Sequence, residues 1–235
     1  MSLTIFRPGK RIYTFGDLGT IDIRQRRSAA AVDWWDLLPN VWAAYQPKGA
    51  VSFAASLVDL AGNGNDAVDP GGADTPAWDA VNGWKRIANV GYLMTTANPA
   101  SSAWSALVQF SNHALGNSYR YMFGRVESGK NFLMAATEGV STHSYFNHGA
   151  LALGPQLSSG NMAIAGSVGY LNGISEGAIP TPWAGVGAQV LYILRLNGLS
   201  LTYWPTQVYM QAVAICDATE SPTDILAAAT AMAAL

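Results

Sequence analysis

Residues 57–84 read LVDLAGNGNDAVDPGGADTPAWDAVNGW, and the glycines and asparagines of this run restrict the fold more than any other feature. Gly62-Asn63-Gly64-Asn65-Asp66 joins two apolar segments. Asn-Gly pairs enter the φ > 0 region at little cost, so they make tight turns between strands. Asn82-Gly83 leads into Trp84, and Asn172-Gly173 follows Tyr170-Leu171. Each pair is a hairpin signal.

Short segments between such turns carry a β pattern. Residues 42–45 give a first strand, with Pro47-Lys48-Gly49 turning the chain after it. Residues 105–110, 119–123, 131–136, 141–146 and 161–165 continue the series. Residues 189–196 (QVLYILRL) and 207–216 (QVYMQAVAIC) read as the longest strands. Asp33 is positioned to cap a short helix that Pro39 stops. The one longer helix begins at Ser221-Pro222-Thr223-Asp224, with an N-cap serine, a first-turn proline and an acid at the third position. Ile225, Ala229 and Met232 then fall on one face. Many short strands with one terminal helix predict an all-β, two-sheet sandwich or jelly roll over residues 33–235.

The chain has 235 residues, half of them hydrophobic, which suits one large, well-packed domain. Charged residues are 12%, about half the usual ~25%. Such a surface suits either contacts within an assembly or a sandwich rich in small residues. Net charge is −2, but residues 1–32 hold Arg7, Lys10, Arg11, Arg24, Arg26 and Arg27 against Asp17 and Asp22. That arm is +4 and the remainder −6, so the arm is suited to docking on an acidic partner. It lacks the dense basic run and interleaved aromatics of a nucleic-acid binder. Residues 1–27 contain no apolar core of signal-peptide length, and no segment reaches the ~18 apolar residues of a membrane span. Cys216 is the only cysteine, so no internal disulfide forms and a structural thiol is expected.

Catalytic patterns are sparse. Retaining glycosidases need two carboxyls ~5 Å apart, two or four residues apart on one strand face. Of Glu127, Glu138, Glu176 and Glu220, only Glu220 has an acid at that spacing, and its partner Asp224 belongs to the helix cap. No Gly-x-Ser-x-Gly elbow precedes a helix. His143 and His148 read as surface or loop residues rather than zinc ligands, with no third ligand evident. Lectin sites stack an aromatic ring on a sugar and fix its hydroxyls with amides or acids. Trp183, Trp204, Tyr145 and Asn147 are the candidates, read as exposed loop residues. Trp42, Trp84 and Trp104 read as core, and Trp34-Trp35 as a clamp for the arm.

Three segments together resemble the laminin-G-like, concanavalin A-like jelly-roll family. They are residues 59–84, the Tyr170-Leu171-Asn172-Gly173 hairpin, and residues 210–226, where a strand ending Ile215-Cys216-Asp217 runs into the helix. Cys216 stands where the family commonly has tyrosine. The resemblance covers residues 41–235 and implies a non-enzymatic binding or structural role. It also implies a calcium ion at one rim, for which Asp59, Asn63, Asn65, Asp66 and Asp69 are the oxygen donors. The alternative is that these residues only shape turns. One such domain behind a basic arm, with low charge, looks like a bacteriophage virion protein of the capsid or tail. That implies an oligomer, with a trimer favoured, docked through the arm on other virion proteins and adhering to host glycans. A free lectin module and, more remotely, a glycoside hydrolase of the same fold are the alternatives.

Overall fold

A computed structural model describes residues 32–87, 91–116, 120–139, 141–180, 182–197 and 207–235. All of these but Val32 belong to one compact unit, Asp33–Leu235. The arm residues Arg7, Lys10, Arg11, Arg24, Arg26 and Arg27 lie outside the described residues, as does Trp204.

The unit is a two-sheet antiparallel sandwich of the jelly-roll class with a C-terminal helix. The first sheet contains β1 (Val41–Tyr45), β2 (Ala77–Asp79), β3 (Gly83–Ile87), β5 (Ser105–Ser111), β10 (Gly160–Ala165), β11 (Val168–Leu171), β12 (Ile174–Ala178) and β14 (Gln207–Cys216). Its order is β12-β11-β10-β5-β14-β3-β2, with β1 also paired to β14. The second sheet runs β4 (Leu93–Met94), β13 (Tyr192–Ile193), β6 (Arg120–Arg125), β7 (Phe132–Glu138), β8 (Thr142–Asn147), β9 (Gly149–Leu153).

β14 shows how sequence sets burial. Residues 207–212 alternate half-buried and buried, as a strand with one wet face should. A bulge between Met210 and Ala212 then reverses which parity points inward. Val208 and Met210 face the core before it; Val213 and Ile215 face the core after it. Past the bulge burial is continuous, because α2 (Pro222–Ala233) lies on the outer face. Ile225, Ala228 and Met232 pack there on Leu107, Ala163, Ala212, Ala214 and Cys216, with Trp34 and Leu38. The alanines let the helix approach closely. Ser221 caps it, accepting from the Asp224 N–H at 3.2 Å, and Pro222 occupies the first turn. Trp84, Phe110, Phe123, Phe132, Met134 and Ile164 fill the space between the sheets with many smaller neighbours.

Three sequence expectations need correction. Residues 189–196 do not form a long strand: Leu194 takes φ 67° and turns the chain, so only Tyr192–Ile193 pair as β13. The run around Gly62–Asp66 is not a strand-turn-strand unit. A short helix, α1 (Phe53–Ser56), precedes it, and the loop is held by side chains, with Gly62 and Gly64 both at positive φ. The predicted helix after Asp33 is a 3-10 turn, Trp34–Leu37, without a side-chain cap.

Candidate functional site

Tyr145, Asn147 and Trp183 are not exposed loop residues, contrary to the sequence expectation; all three are buried. Asn147 ends β8 pointing inward. Its Nδ2 donates to the Ser102 and Gly166 carbonyls at 2.9 and 2.6 Å, and its Oδ1 accepts the Trp183 indole N–H at 2.5 Å. Asn147 and Trp183 are thus brought together as an internal strut. The Trp183 ring also faces the buried Arg125 guanidinium, 5.2 Å from ring centroid to Cζ. Arg125 donates to Gln189 O at 2.6 Å, Pro99 O at 2.8 Å and the Asn98 side-chain oxygen. A buried guanidinium saturated by carbonyls fixes the loops of one rim rather than meeting a ligand.

Tyr145 lies against Gly169, where any Cβ would stand 2.7 Å from the ring. Its hydroxyl reaches both Tyr170 O (2.8 Å) and the Glu176 carboxylate (2.6 Å), and its single proton serves one at a time. His143 is also buried, which corrects the surface reading. Its Nδ1 lies 2.7 Å from Pro155 O and must donate there, while Nε2 lies 2.9 Å from Glu176. The cluster ties β8 of the second sheet to β12 of the first. Burial, then the Glu176 carboxylate, pushes the Tyr145 phenol far above its usual range, so it stays protonated as a donor.

The calcium candidates do come together around one loop, but their oxygens face amide hydrogens. Asp59 accepts from Ala44 N and Ala61 N on one oxygen, each at 3.0 Å, and from Asn63 N (3.0 Å) and Asn65 N (3.3 Å) on the other. Asp66 accepts from Asp59 N at 2.8 Å. Asp69 accepts from Gly71 N and the Thr75 hydroxyl. Asn63 and Asn65 donate to the Val41 and Trp42 carbonyls. This is the Asx-turn alternative realised on a larger scale. No group of three or more His, Cys, Asp or Glu is placed to hold a metal among the described residues.

A second cluster, of aromatic and cationic side chains, is half-buried at the outer face of the second sheet. β4 pairs with β13 so that Leu93 opposes Ile193, both fully buried in the core. Period-two alternation then sends Tyr92, Met94 and Tyr192 to the outer face. Tyr92 and Tyr192 stack with ring centroids 5.1 Å apart at 24°, both half-buried, and neither belongs to a core cluster. The turn at Leu194 brings the Arg195 guanidinium over Tyr92, 4.5 Å from the ring centroid. Tyr92 is anchored by its N–H to Asp74 O at 3.0 Å. Below it the buried Arg86 donates to Gly91 O at 2.5 Å. Burial, then the neighbouring Arg195, lowers the Arg86 pKa to about 10, against the pull of Asp74. Sequence reasoning missed this cluster because the two tyrosines are remote in sequence and Tyr192 sat inside a run read as an unbroken strand. The Tyr92 ring thus packs against both the Tyr192 ring and the Arg195 guanidinium.

No family model and no curated protein matches the sequence. Solved structures are similar at the level of fold. Domain 4 of AbnA, an extracellular GH43 arabinanase from Geobacillus stearothermophilus, in complex with arabinotriose, aligns at TM-score 0.56 and 14% identity, covering 81% of this chain and 98% of that domain. The binding domain of botulinum neurotoxin serotype G aligns at 0.56 and 8%, covering 81% of this chain and 51% of that one. A Trypanosoma rangeli sialidase in complex with 2,3-difluorosialic acid aligns at 0.56 and 10%, covering 81% and 33%. The chain thus spans about half the length of the toxin binding domain and a third of the sialidase.

Proposed function

We propose that this protein is a non-enzymatic, glycan-binding jelly-roll module. The observation that carries the reading is the likeness over nearly the whole of a domain whose structure holds arabinotriose. The placement of the glutamates supports a binding role over hydrolysis. Glu176 is engaged by His143 and Tyr145, Glu127 accepts from Ala188 N, and Glu220 accepts from Asn40. Each of these three carboxylates has a structural partner rather than a second carboxylate poised across a cleft.

The same proposal extends to where the module is displayed. A +4 arm ahead of a −6 body suits attachment to an acidic partner, and the low charge content suits residence in an assembly. We assign the arm to docking on a larger particle, a bacteriophage virion in the sequence resemblance, with the sandwich presented outward to host glycans. A glycan array probed with the full-length protein tests the binding part. Reproducible hits on a related set of saccharides are expected. A blank array from folded protein would remove glycan binding and leave a purely structural role.

A further inference from the structure

β9 ends the second sheet, with its one ladder partner, β8, on one side. An antiparallel strand directs half of its N–H and C=O groups to each side. None of Gly149–Leu153 makes a further hydrogen bond among the described residues, so the outer half of this row is open. An open row of this kind is a template for another strand. The other strands that end a sheet are blunted. Ala44 of β1 donates to Asp59 and accepts from Leu60 N. β2 has three residues and carries Asp79, which is paired with Lys85. β4 has two residues, and its Met94 is bridged by Val68. β12 has a register shift in its pairing with β11 and gives Glu176 to His143 and Tyr145 of the second sheet. β9 has none of these devices: its five residues read GALAL, with no charge, no proline and an unbroken register with β8.

The sequence of β9 also fits itself. Ala150-Leu151-Ala152 is a palindrome. A two-fold axis at Leu151 runs two copies antiparallel, with Ala150 opposite Ala152 of the second copy on one face and the two Leu151 side chains opposed on the other. Ala150 and Ala152 are exposed and small, so the two sheets can meet flush. Leu151 and Leu153 are half-buried against the core, which leaves apolar surface for a second copy to cover. The pairing sets no charge of β9 against its like. A strand of unrelated sequence would match this edge through its backbone alone. The palindrome matches the side chains as well, and that selects a second copy of this chain.

We propose that two copies of the chain pair β9 to β9, antiparallel about Leu151, so that their six-stranded sheets become one. The inference goes beyond the glycan-binding reading and does not rest on it. The test is sedimentation equilibrium of the full-length protein as wild type and as two double variants, each checked for native circular dichroism. Ala150→Lys with Ala152→Lys sets like charges directly opposite each other across the axis. Ala150→Glu with Ala152→Lys sets unlike charges there. Both change the same two exposed positions. Wild type is expected to be a dimer. The Lys/Lys variant weakens it by roughly tenfold or more, whereas the Glu/Lys variant holds it. Amide hydrogen exchange of wild type gives a second readout: β9 amides gain protection as concentration rises through the dissociation constant. Unchanged exchange overturns the pairing, as does a wild-type trimer or a dimer that the Lys/Lys variant leaves intact. Equal weakening by both double variants overturns the register about Leu151. A wild-type monomer overturns the self-pairing and leaves the open edge to a strand from a different protein.

Discussion

His113 follows β5, is 3% exposed and has neither ring nitrogen hydrogen-bonded among the described residues, its ring packed edge-on to Phe110. Burial, then the Arg120 charge, lowers its pKa to about 4. The unfolded chain binds this proton near pH 6.5, and the folded chain resists it until about pH 4. Stability from keeping the ring neutral is therefore complete above pH 6.5 and is lost as pH falls toward 4, by about 3 kcal/mol at the low end. Urea unfolding at pH 7 and pH 4.5 should show this loss in wild type, and His113→Phe should flatten it. Equal pH dependence in the two proteins would assign the effect elsewhere. Asp59 is the other residue with an outsized role, since its carboxylate holds three backbone N–H groups of one loop and the Ala44 N–H of β1. Asp59→Asn should cost about 2–4 kcal/mol in thermal melting, equally with added calcium or with EDTA. A calcium-dependent rise in melting temperature, present in wild type and absent from Asp59→Asn, would restore the metal reading.

At the scale of elements, the β11–β12 hairpin is the clearest case of sequence dictating structure. Asn172 and Gly173 take φ 50° and 78°, the double positive turn that an Asn-Gly pair favours. Gly173 also touches α2: a Cβ there would stand 2.8 Å from Leu226 Cα. Gly173→Ala should destabilise by about 1–3 kcal/mol through turn strain and displacement of the helix, read as a lowered unfolding midpoint. A neutral substitution would mean that the hairpin and α2 are not packed as described. β14 and α2 were equally legible, because their periodicity and caps are local. The strand read over residues 189–196 failed for a tertiary reason. Leu191 N bonds to Ala97 O, Gln189 O is taken by Arg125, and Leu194 turns the chain back, so one run of apolar residues serves three partners. The exposed-loop reading of Tyr145, Asn147 and Trp183 failed similarly. Trp183 lies in a proline-bounded segment that reads as a loop, and nothing local reveals that Asn147 and Arg125 draw it inward. The Tyr92–Tyr192 stack exists only through the β4–β13 pairing of two two-residue strands, too short for any periodic signal.

At the scale of the molecule, the sandwich is a rigid frame with one face of its first sheet covered by α2 and a latch, His143–Glu176–Tyr145, across its open side. The frame consumes Tyr145, Asn147 and Trp183, which looked functional in the sequence, as internal struts. A binding module needs this: fixed side chains on paired strands, supported from behind by a packed core. The most direct measurement is titration of the full-length protein with an array-selected oligosaccharide, followed by mass analysis of the sugar after prolonged incubation. Saturable binding with the oligosaccharide recovered intact is the expected result. Cleaved product, or no binding by folded protein, would contradict a non-enzymatic glycan-binding role.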